Sequence, residues 1–297
     1  MCGIVGLFIK DKALEPQLGK LMAEMLSTMC DRGPDSAGFA VYGADEGGLC
    51  KITLQSPDSS AFAGLDDALT EALATDVGMT VRDTHAVLRL DASFADKARK
   101  LLRERYPHLR VMGVGDRIEI YKEVGYPTDV ADRFGLSGMK GSHAIAHTRM
   151  ATESAVTTMG AHPFSTGSDQ CLVHNGSLSN HNNLRRELKN KGMSFETEND
   201  SEVAAAYLTA QMSDGLSLGD ALQKSLSELD GFYTFVVGTR DGFGVLRDPI
   251  ACKPAVLAET DQYVAFGSEY RALVGLPGID NARVWEPEPA TVYFWER

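Results

Sequence analysis

Met1-Cys2-Gly3-Ile4-Val5-Gly6 opens the chain, and two readings of it lead to different proteins. In the first, Cys2 merely begins a buried strand: Cys-Gly-Ile-Val-Gly-Leu-Phe-Ile is an apolar run, and free cysteines are among the most buried residues. In the second, Met1 is removed, as is usual before a small second residue, and Cys2 becomes the first residue of the mature chain. That residue then carries both a thiol, with an ordinary pKa of about 8.5, and a free α-amine of about 7.7–8.0. At neutral pH the amine is a usable base for the thiol, the N-terminal form of a base-assisted nucleophile. The stretch alone favours the first reading; its company further along reverses that.

With 297 residues, 43% of them hydrophobic and 24% charged, the chain can bury a substantial core as one large domain or two smaller ones. A net charge of −12 argues against a nucleic-acid surface. No stretch approaches the length of a membrane span, and no basic segment followed by an apolar one opens the chain. The expectation is a cytoplasmic protein with neither nucleic acid nor membrane as partner. Cys2, Cys30, Cys50, Cys171 and Cys252 are odd in number, scattered and without a Cys-x-x-Cys pair, which fits a reducing compartment. There is no glycine-rich dinucleotide or phosphate motif, so any redox cofactor has to belong to a partner.

Outward from the opening strand, Leu18, Leu21, Met22, Met25, Leu26 and Met29 fall at helical spacing and predict a helix from Pro16 to Cys30. Asp31 to Gly38 reads as a dense turn carrying an arginine, and Phe39 to Tyr42 as a strand. From about Ala44 to Lys140 the character changes. A helix over Asp58–Thr75, a strand over His85–Leu90, a basic helix over Phe94–Tyr106 and strands over Leu109–Val114 and Arg117–Val124 predict an inserted small α/β subdomain, residues 44–140. Its cluster Lys97, Arg99, Lys100, Arg103 and Arg105 is ordinarily a solvated helix face, with docking of an acidic partner as the alternative. Strand signals return at Ser142–Arg149 and at Gln170–Val173, which ends in His174-Asn175-Gly176-Ser177; Asn-Gly by itself is a turn. Helices follow over Ser179–Lys191, from Asp200 to about Met212 and over Leu216–Leu229. Strands Phe232–Gly238, Gly244–Arg247, Ala255–Glu259, Tyr263–Gly267 and a segment Arg283–Trp295 close the chain. Helices and strands in blocks favour antiparallel sheets covered by helices over a doubly wound parallel sheet.

Taken together, the ordered blocks Cys2-Gly3-Ile4-Val5-Gly6, Arg32-Gly33-Pro34-Asp35-Ser36-Ala37-Gly38, His147-Thr148-Arg149-Met150-Ala151-Thr152, Ala161-His162-Pro163, His174-Asn175-Gly176, Asn199-Asp200-Ser201-Glu202, Arg247-Asp248-Pro249 and Gly267-Ser268-Glu269 resemble the class II glutamine amidotransferases. Each is a weak signal; eight in the family's order are not. They cover roughly residues 2–43 and 141–275. The resemblance implies an α+β fold: a four-layer αββα N-terminal-nucleophile hydrolase sandwich of two antiparallel sheets, with the small α/β subdomain inserted.

It also implies site roles. Cys2 would supply nucleophile and base, while the Asn175 side chain and the Gly176 N–H would form the oxyanion hole. Arg149 would grip the α-carboxylate of glutamine, a pairing suited to a planar fork. Thr152 would add a hydroxyl, Asp200 would take the α-ammonium, Gly33 would lie beside the nucleophile and Arg32 near it. Met150 and Glu153 stand where relatives often have tryptophan and histidine. His147, His162 and His174 are widely spaced and the family uses no metal, so they read as packing histidines.

A glutaminase of this kind hands ammonia to an acceptor site, and this chain has no room for a synthase domain. The resemblance therefore implies a hetero-oligomer in which this chain is the glutaminase component of a glutamate-synthase-like complex, of the N-methylglutamate synthase (methylamine–glutamate N-methyltransferase) type. This chain would hold no cofactor; FMN and an iron–sulfur cluster are expected in a partner subunit, and a further subunit carries a β-helix. An archaeal-type glutamate synthase amidotransferase, a non-catalytic glutamine- or glutamate-binding scaffold and a hydrolase of other amides are the alternatives. The insert is expected to be a docking element.

Overall fold

The computed structural model describes residues 2–151 and 155–297. Strands and helices are numbered in chain order. β1 (Gly3–Ile9) is buried along its whole length, as an unbroken apolar run requires. Its side chains alternate: Val5, Leu7 and Ile9 join one core, Ile4 and Phe8 another. A strand with two dry faces must lie between layers. β1 is the centre of a seven-stranded sheet, in the order β15 (Arg283–Trp285), β13 (Val256–Glu259), β14 (Tyr263–Gly267), β1, β8 (His143–Arg149), β2 (Ser36–Tyr42), β7 (Ile118–Val124). A second sheet has the order β16 (Thr291–Glu296), β12 (Gly242–Arg247), β11 (Gly231–Gly238), β10 (Gln170–Leu178), β9 (Phe164–Gly167). Neighbouring strands in both are antiparallel.

The sheets face each other across a core that includes Ile4, Phe8, Tyr42, Val173, Val236 and Phe243. A Cβ at Gly6 would stand 2.8 Å from the Phe243 ring, so the missing side chain is what lets the sheets close there. α1 (Leu18–Ser27) and α4 (Pro127–Arg133) cover the outer face of the first sheet through Met22, Met25, Val130 and their neighbours. α5 (His181–Asn190), α6 (Asp200–Ser213) and α7 (Leu218–Glu228) cover the second. α6 is buried on all sides from Ser201 to Leu208, which is why its sequence lacks a polar stripe. The order of layers is helix, sheet, sheet, helix, as the sequence led one to expect.

The third sheet, β4 (Val77–Arg82), β5 (His85–Asp91), β3 (Leu49–Gln55), β6 (Arg110–Gly115), carries α2 (Leu65–Leu73) and α3 (Ala95–Arg105) on a core of its own. Leu65, Leu69 and Leu73 recur every fourth residue and supply α2's buried stripe. The insert is thus confined to residues 49–115. The expected boundary at 140 falls too late, because β7 pairs with β2 in the large sheet and α4 covers the same sheet.

Other expectations are corrected as well. The helix expected over Pro16–Cys30 is a 3-10 turn, Lys12–Gln17, followed by α1, which stops at Ser27. The helix expected over Asp58–Thr75 is broken by Gly64, whose φ of +71° is left-handed. β3 and β4 lie in stretches assigned no strand, and β2 begins at Ser36, inside the expected turn. The closing segment divides between two sheets as β15 and β16.

Candidate active site

Three elements hold the start of β1. Ser268, just past β14, accepts the Ile4 N–H on its Oγ and donates its own N–H to the Ile4 carbonyl, both at 2.9 Å. Arg32, in the turn between α1 and β2, donates from Nε to the Cys2 carbonyl at 3.0 Å. Asn175 of β10 donates from Nδ2 to the same oxygen at 3.3 Å. Cys2 is half-buried with a free thiol. Arg32 is itself anchored, its Nη1 meeting Glu269 Oε1 at 2.5 Å, while Arg271 Nε meets Glu269 Oε2 at 2.7 Å. The hydrogen bond from Arg32 and the charge of Arg271 hold the Glu269 carboxyl below its usual range against the opposing effect of partial burial.

The β1–β8 register pairs Gly3 with Thr148, so its continuation sets Cys2 across from Arg149. Gly33 closes against the same place: a Cβ there would stand 2.5 Å from the Arg149 nitrogen, a distance no side chain tolerates. The Arg149 side chain is almost wholly buried, and its Nη1 donates to the Ala155 carbonyl at 3.3 Å. Asp35 Oδ2 accepts the Ala151 N–H at 2.8 Å and fixes the chain after β8. Thr152, expected in the site, and Glu153, the departure beside it, lie outside the described residues.

β10 runs straight through His174-Asn175-Gly176, so Asn-Gly is not the hairpin its composition suggests. Gly176 has φ +151°, and a Cβ would fall 2.0 Å from the Phe232 carbonyl. That position admits only glycine. Asp200 opens α6, where Asn199 caps the helix by accepting the Ser201 N–H at 2.9 Å. One Asp200 oxygen accepts the Leu178 N–H at 2.9 Å; the other lies 3.8 Å from His174 Nδ1. Asp200 is therefore tied to β10 two residues past Gly176.

Beneath these groups is a cluster the sequence did not reveal. Ser201 Oγ lies 2.8 Å from His162 Nε2 and 2.9 Å from His174 Nδ1, and His147 Nε2 lies 3.1 Å from the His174 carbonyl. His147 and His162 stack with ring centres 4.0 Å apart. Burial pushes His147 down to about 3, His162 well below its ordinary value, and His174 down despite the nearby Asp200 carboxylate. Neutral imidazoles of this kind join β8, β10 and α6 by hydrogen bonds rather than charge. Among the described residues no group of His, Cys, Asp and Glu is placed to hold a metal ion.

The structure thus gathers Cys2, Arg32, Gly33, Arg149, Asn175, Gly176 and Asp200 around the joined ends of β1, β8 and β10. Ser268 and Glu269 were legible only as part of a block, and their contacts with Ile4 and Arg32 span more than two hundred residues of sequence.

A family profile described as a glutamine amidotransferase domain matches residues 147–275. Along its full length the chain is 65% identical to the glutamine amidotransferase-like protein GlxB of Rhizobium meliloti (strain 1021), covering 98% of that protein. Among solved structures, the glutamine phosphoribosylpyrophosphate amidotransferase of B. subtilis complexed with ADP and GMP superposes with a TM-score of 0.63 at 20% identity over 99% of this chain. A structure titled as the allosteric regulatory enzyme of purine biosynthesis gives 0.65 at 21% identity over 99%. This chain spans 47% of each of those two. At such identities the likeness establishes the fold alone, a sandwich of two antiparallel sheets covered by helices.

Proposed function

This chain belongs to the glutamine amidotransferase family of enzymes, and from that premise we propose that it hydrolyses the side-chain amide of glutamine at Cys2 and delivers the nitrogen to a synthase partner. With Met1, which lies outside the described residues, removed, the α-amine of Cys2 takes the thiol proton and Sγ attacks the amide carbon. The developing oxyanion accepts from the Gly176 N–H and from Asn175 Nδ2. An amide nitrogen has two N–H donors, so Asn175 can hold the Cys2 carbonyl with one and the oxyanion with the other. Collapse breaks the C–N bond, the α-ammonium returns its proton to the leaving nitrogen as ammonia departs, and water cleaves the thioester to glutamate. Arg149 takes the α-carboxylate with help from Thr152, Asp200 takes the α-ammonium through the oxygen not bound to Leu178, and Gly33 gives the room. Arg32 positions Cys2 through its carbonyl.

The observation that carries this reading is the convergence of Arg32 and Asn175, from two different elements, on the Cys2 carbonyl. The test is glutamate release from glutamine by protein lacking Met1. Cys2→Ala should abolish it with the fold unchanged by circular dichroism, and turnover surviving in that variant would overturn the assignment.

We infer, at the finer level, that the protein is the glutaminase component of a glutamate-synthase-like complex of the N-methylglutamate synthase type. Every described element belongs to the sandwich or to the insert, which leaves no separate fold among these residues for the acceptor reaction. FMN and the iron–sulfur cluster would reside in a partner subunit, beside a β-helix subunit. Co-purification from the native source, with the components identified, decides between this complex and an archaeal-type glutamate synthase. Intact mass showing a permanently retained Met1 would favour a non-catalytic scaffold.

A further inference from the structure

Between β8 and β9 the chain passes the Arg149 guanidinium twice. The Ala155 carbonyl accepts from Arg149 Nη1 at 3.3 Å, and a Cβ on Gly160 would stand 3.2 Å from the same nitrogen. Residues 155–163 belong to no helix or strand. Inside the segment the Gly160 N–H donates to Thr157 Oγ1 at 3.1 Å and the Ala161 N–H to the Thr158 carbonyl at 3.2 Å. These short turns shape it locally, but they fix nothing relative to Arg149. Two consecutive residues of β7, the strand at the edge of the large sheet, take hold of it from outside.

Lys122 is buried, and its ammonium donates to the carbonyls of Met159, Ala161 and Pro163 at 3.3, 2.9 and 3.3 Å. It also lies 4.5 Å from the centre of the Phe164 ring. Burial works against its charge, while the carboxylates of Glu202 and Glu196 favour it. An apolar side chain would cover Phe164 without desolvating a charge, so what the ammonium adds is its grip on one segment's carbonyls. Glu123 follows, with its side chain leaving the opposite face of the strand. It too is buried. Its Oε1 accepts the Thr158 hydroxyl and, at 2.9 Å, the Val124 N–H, while Oε2 accepts the Thr84 hydroxyl at 3.0 Å. A carboxylate bound in this way turns from Thr158 only by breaking its other bonds.

We propose that Lys122 and Glu123 are positioning residues for glutamine: by fixing residues 155–163 they hold the Arg149 guanidinium where the α-carboxylate meets it. The inference rests on the glutaminase reading, in which Arg149 takes that carboxylate. Both residues act through the segment and not on the substrate. A guanidinium fork selects its partner by direction as well as charge. With the segment loosened, Arg149 keeps its charge and loses its direction. The α-carboxylate is far from the bond that breaks and is gripped alike before and during the reaction. The loss therefore falls on KM and leaves kcat nearly untouched.

The test is glutamate release from glutamine by the full chain lacking Met1, with KM and kcat measured separately. Lys122→Met and Glu123→Ala should each raise KM about tenfold with kcat within about threefold of wild type. Glu123→Gln keeps an oxygen for Thr158 and should recover most of the loss. In an Arg149→Lys background the first two substitutions should add less than about twofold, because the fork they orient is gone. Thr158→Val removes one hydroxyl and should raise KM about threefold; it carries the comparison if the two buried variants fold poorly. The inference is overturned if KM stays at the wild-type value, if kcat falls instead, if the effects multiply in the Arg149→Lys background, or if Glu123→Gln is no better than Glu123→Ala. Under each of those results a wild-type protein that releases glutamate leaves the glutaminase reading standing. A wild-type protein that releases none overturns that reading and this inference with it.

Discussion

The sandwich and the insert each have an apolar core, yet they place buried polarity differently. In the sandwich, Arg149, Asn175, His147, His162 and His174 are buried where β1, β8 and β10 end; the three histidines are linked to one another and to Ser201, and Asn175 to the Cys2 carbonyl. In the insert, polarity is buried at the seam. Cys50, Ile52 and Leu54 of β3 face the insert's core, while Lys51 and Thr53 face β7, with Lys51 Nζ 3.1 Å from Glu119 and Thr53 Oγ1 accepting the Ile120 N–H at 3.3 Å. The difference separates a unit built around a reaction from a unit docked on it through a polar face. Changes in the first should alter rates; changes in the second should alter local stability and assembly.

The largest expected effect tests the first half. Asn175→Ala removes the proposed oxyanion donor and one of the two bonds to the Cys2 carbonyl, and steady-state kinetics should show kcat lower by about 10²–10³, roughly 3–4 kcal/mol. A fall of less than about tenfold would mean that the strand end is scaffold rather than machinery. Next comes Leu69→Ala, at a fully buried position in the insert's own core. It should destabilise the insert by about 2–5 kcal/mol. Hydrogen exchange should then quicken over 49–115 with β1, β8 and β10 still protected and glutamine turnover retained. Equal loss of protection in those strands would show one cooperative unit and erase the contrast. The smallest is Glu269→Gln, which weakens the hold on Arg32 without touching substrate. A drop of about tenfold in kcat with KM for glutamine nearly unchanged, restored in part by Glu269→Asp, is expected. A rise in KM alone would place Glu269 in binding instead.

How much was legible in the sequence follows the same division. Within the sandwich, the apolar run of β1 marked a strand buried on both faces and the ordered blocks, through the resemblance they carry, implied the layers, but not the bonds by which Arg32 and Asn175 meet at the Cys2 carbonyl. What escaped was long-range: Ser268 and Glu269 reaching back to Ile4 and Arg32, and Ser201 joining two histidines from different strands. The insert was harder. β3 alternates correctly, but its polar residues are buried at the seam, so the usual inference from polar to solvent-facing fails there. β7 follows the insert in sequence yet completes the edge of the large sheet beside β2, and nothing local marks that crossing.

The most direct test of the central claim is covalent. The protein is treated with an electrophilic glutamine analogue carrying a diazoketone in place of the carboxamide, and intact mass and peptide mapping locate the label. A single adduct on Cys2 of a chain that has lost Met1, suppressed by excess glutamine, is the predicted result. A chain that keeps Met1, or a label on the exposed Cys252 that glutamine does not suppress, would contradict it.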